Sequence, residues 1–225
     1  PAGVPGLAGR PVVFCGFPIF GGCQYLRPEA IMGGQSKTFG LAFVLAGCAP
    51  SPVQWLNIGG GLGVPYFPGE QRIELTDIAS HLAPLLERAK TRLPGAEIVM
   101  ELGRYLVAEA GIYVAEVVDK KISRGETFLV TNGGLHHHLA ASGNFGQVIR
   151  KNYPVCIGNR VASATPENVS VVGPLCTPLD ILADKMDLSP ADVGDLVVVF
   201  QSGAYGYSAS PRDFLGHPYP AEILL

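Results

Sequence analysis

Charge is scarce in this chain: Asp, Glu, Lys and Arg together make up 16% of its 225 residues, and no basic run is longer than Lys120-Lys121. With 16 basic against 19 acidic side chains the formal net charge is −3. That balance lacks the electrostatic footprint of a nucleic-acid binder, so no nucleic-acid partner is expected. Long apolar runs are missing too. Gly, Pro or a charge interrupts each run before the roughly 18 residues a membrane helix needs, so no membrane partner is expected either. The opening Pro1-Ala2-Gly3-Val4-Pro5 has no basic n-region, no apolar stretch and no Met, and reads as a cut rather than a start. Five cysteines, Cys15, Cys23, Cys48, Cys156 and Cys176, form no CxxC pair and are odd in number. They read as reduced thiols of a cytoplasmic protein.

What is plentiful is apolar and turn-forming. Hydrophobic residues at 48% exclude a disordered chain. The 29 glycines and 19 prolines follow no repeating period, which predicts many short elements joined by tight turns. Pro11 to Phe20 is a buried-strand pattern ending in Gly21-Gly22. Arg27 to Gly47 places Ile31, Phe39, Ala42 and Phe43 at helical spacing despite interior glycines. Val53 to Ile58 is a second strand and runs into Gly59-Gly60-Gly61-Leu62-Gly63. Thr76 is placed to cap a helix reaching Arg92, with Ile78, Leu82, Leu85, Leu86 and Ala89 on one face. Glu97 to Met100 is a third strand that delivers Glu101 and Arg104 at its C-terminal end. This alternation is an α/β pattern, in which sites form beyond strand C-termini. From Ile112 onward the pattern turns β-rich, with strands expected at Tyr113 to Ile122, Thr127 to Thr131, Val169 to Val172, Asp195 to Gln201 and Ala221 to Leu225. The boundary is drawn at 111/112.

Several clusters could carry chemistry. Glycines after a strand leave backbone N–H groups unobstructed, and Gly59-Gly60-Gly61 could cup a phosphate; a tight turn explains them equally. They do not form a dinucleotide fingerprint, because Val64 stands at the third glycine position. Glu101-Leu102-Gly103-Arg104 sets a carboxylate and a guanidinium at one strand end, suited to a ring nitrogen and to a phosphate; a surface ion pair is the plainer reading. Cys176 lies between Pro174 and Pro178 on a loop that ends at Asp180, either displayed or simply buried. Tyr205, in Gly203 to Ser208, could bring a phenol to an anion or sit in a turn. His136-His137-His138 has no i, i+4 spacing, and adjacent side chains are expected to diverge, so no metal site is expected.

In this order the clusters resemble the alanine-racemase-like, fold-type III decarboxylases that use pyridoxal 5'-phosphate, the ornithine and diaminopimelate decarboxylase family. Gly16 to Phe20 is similar to the family's strand approaching the cofactor, and Gly59-Gly60-Gly61 to its phosphate-binding glycines. Glu101 to Arg104 is similar to its E-P-G-R, Gly173 to Asp180 to its G-P-x-C-x-x-x-D, and Gly194-Asp195 through Ala221-Glu222 to its closing segment. Asn57 to Glu70, Gly134 to His138 and Cys176 to Asp180 look most like the subgroup associated with exosortase A and exopolysaccharide gene clusters.

The resemblance implies an α/β plus all-β chain. Residues 1–111 would be the C-terminal part of an alanine-racemase-like (β/α)8 barrel, and 112–225 a C-terminal β-barrel or sandwich domain. It implies decarboxylation of an amino acid in a homodimer with shared active sites. Glu101 would pair with the pyridine nitrogen, and Gly59, Gly60, Gly61, Gly103, Arg104 and Tyr205 would hold the cofactor. Cys176 would act as proton donor across the dimer interface, and Arg150 and Asp180 would contact substrate.

The chain also departs from the family. Pro18 stands for a ring-stacking His, Cys23 for a phosphate-binding Ser and Leu102 for the motif's Pro. The Schiff-base lysine belongs upstream of every matched motif, and Lys37, Lys90, Lys120, Lys121, Lys151 and Lys185 all lie outside them. The chain is therefore expected to be an N-terminally truncated piece of the decarboxylase. A non-catalytic fragment or pseudoenzyme and an amino-acid racemase are the alternatives.

Overall fold

A computed structural model describes residues 13–145, 147, 149–161 and 165–225. Pro11 and Val12 of the first expected strand, and the opening pentapeptide, lie outside the described residues. The chain divides into two compact units, one of residues 13–65 and 70–105, the other of 66–69 and 106–225.

The first unit alternates strand and helix: β1 (Gly16–Pro18), α1 (Pro28–Ala46), β2 (Trp55–Gly60), α2 (Leu75–Arg92) and β3 (Glu97–Glu101). The three strands are parallel in the order β1-β2-β3, with Leu56 opposite Phe17 on one side and Ile98 on the other. A helix between successive parallel strands returns the chain to the same sheet end, so all three strand C-termini lie together. α1 starts with Pro28 at its first turn and Glu29 beside it, where a missing N–H and a negative charge are both favourable. Its buried Phe39, Ala42 and Phe43 pack with Leu56, Ile58, Leu85 and Ala89. Thr76 does not cap α2: the helix begins at Leu75 behind an extended Glu74 with no side-chain cap, which leaves Thr76 inside the first turn.

The second unit begins within the short helix α3 (Arg104–Val107) and is a six-stranded sheet. Its strands are β4 (Tyr113–Ser123), β5 (Glu126–Thr131), β6 (Val155–Ile157), β7 (Glu167–Val172), β8 (Ile181–Leu188) and β9 (Leu196–Val199), in the order β6-β9-β4-β5-β7-β8. β8 returns beside β6, so the sheet nearly closes into a barrel. β4 alternates from Val114 to Val118, with Ala115 and Val117 buried and Val114 and Val118 exposed, until its register against β5 shifts between Val117 and Asp119. β4 turns into β5 through Arg124 and Gly125, both at positive φ (54° and 82°), the twist a two-residue hairpin needs. Leu129, Val169, Val171, Leu182, Val197 and Val199 fill the interior.

Two strands escaped the sequence pattern, β6 and β8. β6 has three residues, and β8 is broken by Lys185 at φ 49° beside a register shift against β7. Conversely, Ala221 to Leu225 is not a strand. Ile223, Leu224 and Leu225 are exposed and pair with no described strand.

Candidate functional site

The first unit gathers its polar residues where β2 and β3 end. Asn57, 7% exposed in β2, donates from Nδ2 to Glu101 Oε1 over 2.7 Å, and its Oδ1 accepts from Gly59 N–H at 2.8 Å. Both ends of the amide are thereby assigned, and one side chain ties the glycine turn to the carboxylate at the end of β3. The glycines there are sterically required. A Cβ on Gly60 would stand 1.6 Å from Glu101 O, one on Gly61 2.4 Å from Gly22 O, and one on Gly59 3.0 Å from Ile19 O. Gly59 and Gly61 also adopt positive φ, 73° and 79°. Gly103 opens onto free space and Arg104 starts α3 directly after it. Pro18 lies opposite Asn57 in the sheet, and Cys23 is exposed.

None of the six lysines stands at these strand ends. Lys37 and Lys90 are on helices, Lys90 paired with Glu87, and the others belong to the second unit, where Lys120 pairs with Glu167 and Lys185 with Glu126.

In the second unit Asp180 organises the loop after β7. Its carboxylate, 2% exposed, accepts from Leu135 N–H at 2.6 Å and Leu175 N–H at 2.9 Å. Gly134 and Gly173 make room for it, since a Cβ on either would come within 2.1 Å and 2.3 Å of its oxygens. Burial pushes the Asp180 carboxyl above its ordinary pKa against the pull of those amides and of His137. Cys176 is exposed on the bend that Asp180 pins down. Arg150 is engaged by its own unit: Nε donates to Ser142 O at 3.0 Å and Nη2 to Ile181 O at 2.7 Å, with Asp184 3.8 Å away. Tyr205 is half-exposed at φ 57°, a left-handed conformation that costs a non-glycine residue on the order of 1 kcal/mol, with its ring against Phe145. The sequence thus places Glu101 with the glycines, and Cys176 with Asp180, as the structure finds them.

The histidine triplet departs from expectation. The rings of His136 and His137 do not diverge: their centroids are 3.9 Å apart, because 135–137 form a turn rather than a strand. Tyr113 O–H meets His137 Nδ1 at 3.1 Å, and His137 Nε2 donates to Pro218 O at 2.7 Å. Asn57 and this His–Tyr network were both missed in the sequence, since a lone Asn in a strand and a His run carry no spacing signal.

Burial, with neighbouring His137 and His217, lowers the pKa of His136 to about 4, and burial lowers that of His138 to about 4. Unfolded histidine titrates near 6.5, so between there and the folded values the unfolded chain binds protons that the folded chain excludes. Stability then falls as pH falls through that window, by ~3 kcal/mol at its lower end for His138. Asp180, with its raised pKa, acts in the opposite sense and offsets part of this. Thermal melts are expected to show a clear drop between about pH 7 and about pH 5; a level profile would contradict neutral buried rings.

Comparison with known proteins follows the same lines. The model of the pyridoxal-dependent decarboxylase C-terminal sheet domain matches residues 42–203. The L-glutamyl-[BtrI acyl-carrier protein] decarboxylase of Niallia circulans is 39% identical over 94% of this chain and 50% of its own length. The 2-[(L-alanin-3-ylcarbamoyl)methyl]-2-hydroxybutanedioate decarboxylase of Staphylococcus aureus is 31% identical over 77% of this chain and 44% of its own. Among solved structures, diaminopimelate decarboxylase of M. jannaschii with L-lysine aligns at TM-score 0.74 and 22% identity, over 89% of this chain and 44% of that one, a likeness of fold. The chain spans about half the length of the curated relatives it matches.

The residues at the ends of β2 and β3 fit pyridoxal phosphate, the cofactor of these enzymes. A fixed carboxylate suits a pyridine nitrogen, and a turn from which side chains are sterically excluded suits a phosphate, as does the arginine that starts α3 just after β3.

Proposed function

Because the chain belongs to the pyridoxal-dependent decarboxylase family, we propose that it supplies the glycine turn, the pyridine-binding carboxylate and the sheet domain of an α-amino-acid decarboxylase of fold type III. The observation that carries this reading is the Asn57 bridge, which holds Glu101 against the turn at Gly59. A glycine turn needs only steric reasons. A buried amide aiming a strand-end carboxylate is explained by something that the carboxylate must meet.

Bound pyridoxal phosphate supplies an electron sink for the pair left when carbon dioxide departs. Glu101 keeps a proton on the ring nitrogen, and Asn57 fixes the Glu101 rotamer by donating to Oε1, leaving Oε2 for that contact. Gly59, Gly60, Gly61, Gly103, Arg104 and Tyr205 bind the cofactor, its phosphate foremost. Cys176 Sγ delivers a proton to the substrate carbon that has lost its carboxylate, in a homodimer whose subunits share the site. Arg150 and Asp180 contact substrate, and Asp180 also holds the Cys176 loop through the Leu135 and Leu175 amides. Residues 1–111 are read as the later part of the cofactor barrel, and the protein as a cytoplasmic member of the exosortase A-associated subgroup.

Two further readings have their own support. The 39% identity over 94% of the chain favours a substrate like that of the Niallia enzyme, an amino acid carried on a protein, over free diaminopimelate. Loss of an α-carboxylate requires that carboxylate to be free, so such a substrate would be attached through its side-chain carboxyl. A non-catalytic role is favoured by Pro18, which lies opposite Asn57 where the resemblance implies a ring-stacking His.

The test is a titration of the chain with pyridoxal phosphate, followed by ring absorbance. Saturable binding is expected, weakened about tenfold or more in Arg104→Ala, for the loss of a charge-assisted phosphate contact. Equal affinity of the variant would remove the phosphate assignment.

A further inference from the structure

Among the described residues of the second unit, three buried ring nitrogens have no hydrogen-bond partner: Nδ1 and Nε2 of His136, and Nε2 of His138. For His138 the geometry settles the tautomer. Ala141 N–H donates to His138 Nδ1 over 3.2 Å, so Nδ1 carries a lone pair and the neutral ring holds its proton on Nε2. Burial keeps the ring neutral at physiological pH. Nε2–H is therefore a donor without an acceptor, on a side chain 1% exposed. Folding gains nothing from leaving such a group unpaired.

His138 forms part of the wall of a cavity of about 450 Å³, together with Tyr113, Tyr205, Ser208 and Glu222. Gly206, which also lines the cavity, lies beside the ring edge: a Cβ there would stand 3.9 Å from Nε2. The Tyr113 proton is already committed. His137 Nε2 donates to the Pro218 carbonyl, so His137 Nδ1 is an acceptor and takes the Tyr113 O–H. Among the described residues no Lys or Arg lines the cavity, and the one carboxylate is that of Glu222. An incoming carboxylate would meet that like charge without a counter-ion, whereas a neutral oxygen acceptor would meet no such opposition.

We infer that this cavity takes a neutral acyl carbonyl, the amide or thioester oxygen of a derivatised side-chain carboxyl on the substrate, which accepts a hydrogen bond from His138 Nε2–H. The inference rests on the amino-acid decarboxylase reading and selects among its substrates: an acyl-linked amino acid is held and a free diacid is not. The neighbouring hydroxyl of Ser208 adds a polar group of no net charge beside such a carbonyl.

The experiment titrates the 225-residue chain, with its histidines labelled with nitrogen-15, with γ-L-glutamylethylamide, L-glutamate and pyridoxal phosphate in separate arms. The amide is expected to move the His138 Nε2–H resonance and to bind about tenfold more tightly than L-glutamate. His138→Gln, whose amide N–H reaches a similar point, should keep that affinity, and His138→Phe should lose about tenfold. Equal binding of amide and glutamate, an unmoved resonance, or undiminished affinity in His138→Phe would overturn the inference. So would a resonance moved by pyridoxal phosphate and not by the amide, which would give the cavity to the cofactor. Should His138→Phe fail to fold, the wild-type resonance decides. Failure of the chain to bind pyridoxal phosphate would instead count against the decarboxylase reading, leaving the preference for amide over glutamate to be judged on its own arm.

Discussion

Gly60→Ala is expected to destabilise the first unit by more than about 3 kcal/mol, while Gly40→Ala, the same change of atoms, stabilises it by up to about 1 kcal/mol. At Gly60 a Cβ would lie 1.6 Å from the carbonyl oxygen of Glu101, and no rotamer change can relieve a clash between backbone and Cβ. β2 and β3 would have to separate where their registers shift, between Asn57 and Gly60. Gly40, in α1, has nothing within 4 Å of its Cβ position, so alanine there only lowers the entropy of the unfolded chain. Urea unfolding of the two variants beside the wild type checks this, and variants of equal stability would contradict the close approach of the two strands. The same clash would shift Glu101, so any Gly60→Ala protein that folds should also lose cofactor affinity.

Asp180→Ala is expected to cost about 3–5 kcal/mol, because the two buried N–H groups of Leu135 and Leu175 lose their acceptor. Asp180→Asn should fall between, since one carboxamide oxygen can serve only part of that demand and its NH2 faces the other donor. The amides of Leu135 and Leu175 should then exchange with solvent faster than the rest of the sheet, a local opening that frees the Cys176 loop. A loss in Asp180→Ala below about 1 kcal/mol would show that the carboxylate is not what holds the loop. Its burial between Gly134 and Gly173, which must lack side chains to admit it, argues that it is.

Much of this architecture is written locally. The spacing of Phe39, Ala42 and Phe43 places α1, and the alternation of Tyr113 to Ser123 places β4, because each pattern reflects a face that packs within its own unit. What could not be read depends on partners distant in sequence. β8 is hidden by the bulge at Lys185, and Ala221 to Leu225 has a strand's composition but pairs with no described strand. Among the site residues, the glycines and Glu101 were legible from their order along the chain. Asn57 was not, because nothing near it in sequence shows that its amide reaches Glu101, 44 residues on. The histidines illustrate the opposite case. Their identity was conspicuous, but their meaning lay in the turn that stacks two rings and in the single amide, Ala141 N–H, that sets the tautomer of the third.

The central claim is that Glu101, aimed by Asn57, meets the ring nitrogen of pyridoxal phosphate. The most direct test is the nitrogen-15 resonance of ring-labelled pyridoxal phosphate bound to the chain at mildly alkaline pH, in the wild type and in Glu101→Gln. The account predicts a protonated pyridine nitrogen in the wild type and an unprotonated one in Glu101→Gln, with Asn57→Leu in between. A nitrogen already unprotonated in the wild type, or one that remains protonated when Glu101 is neutralised, would contradict it.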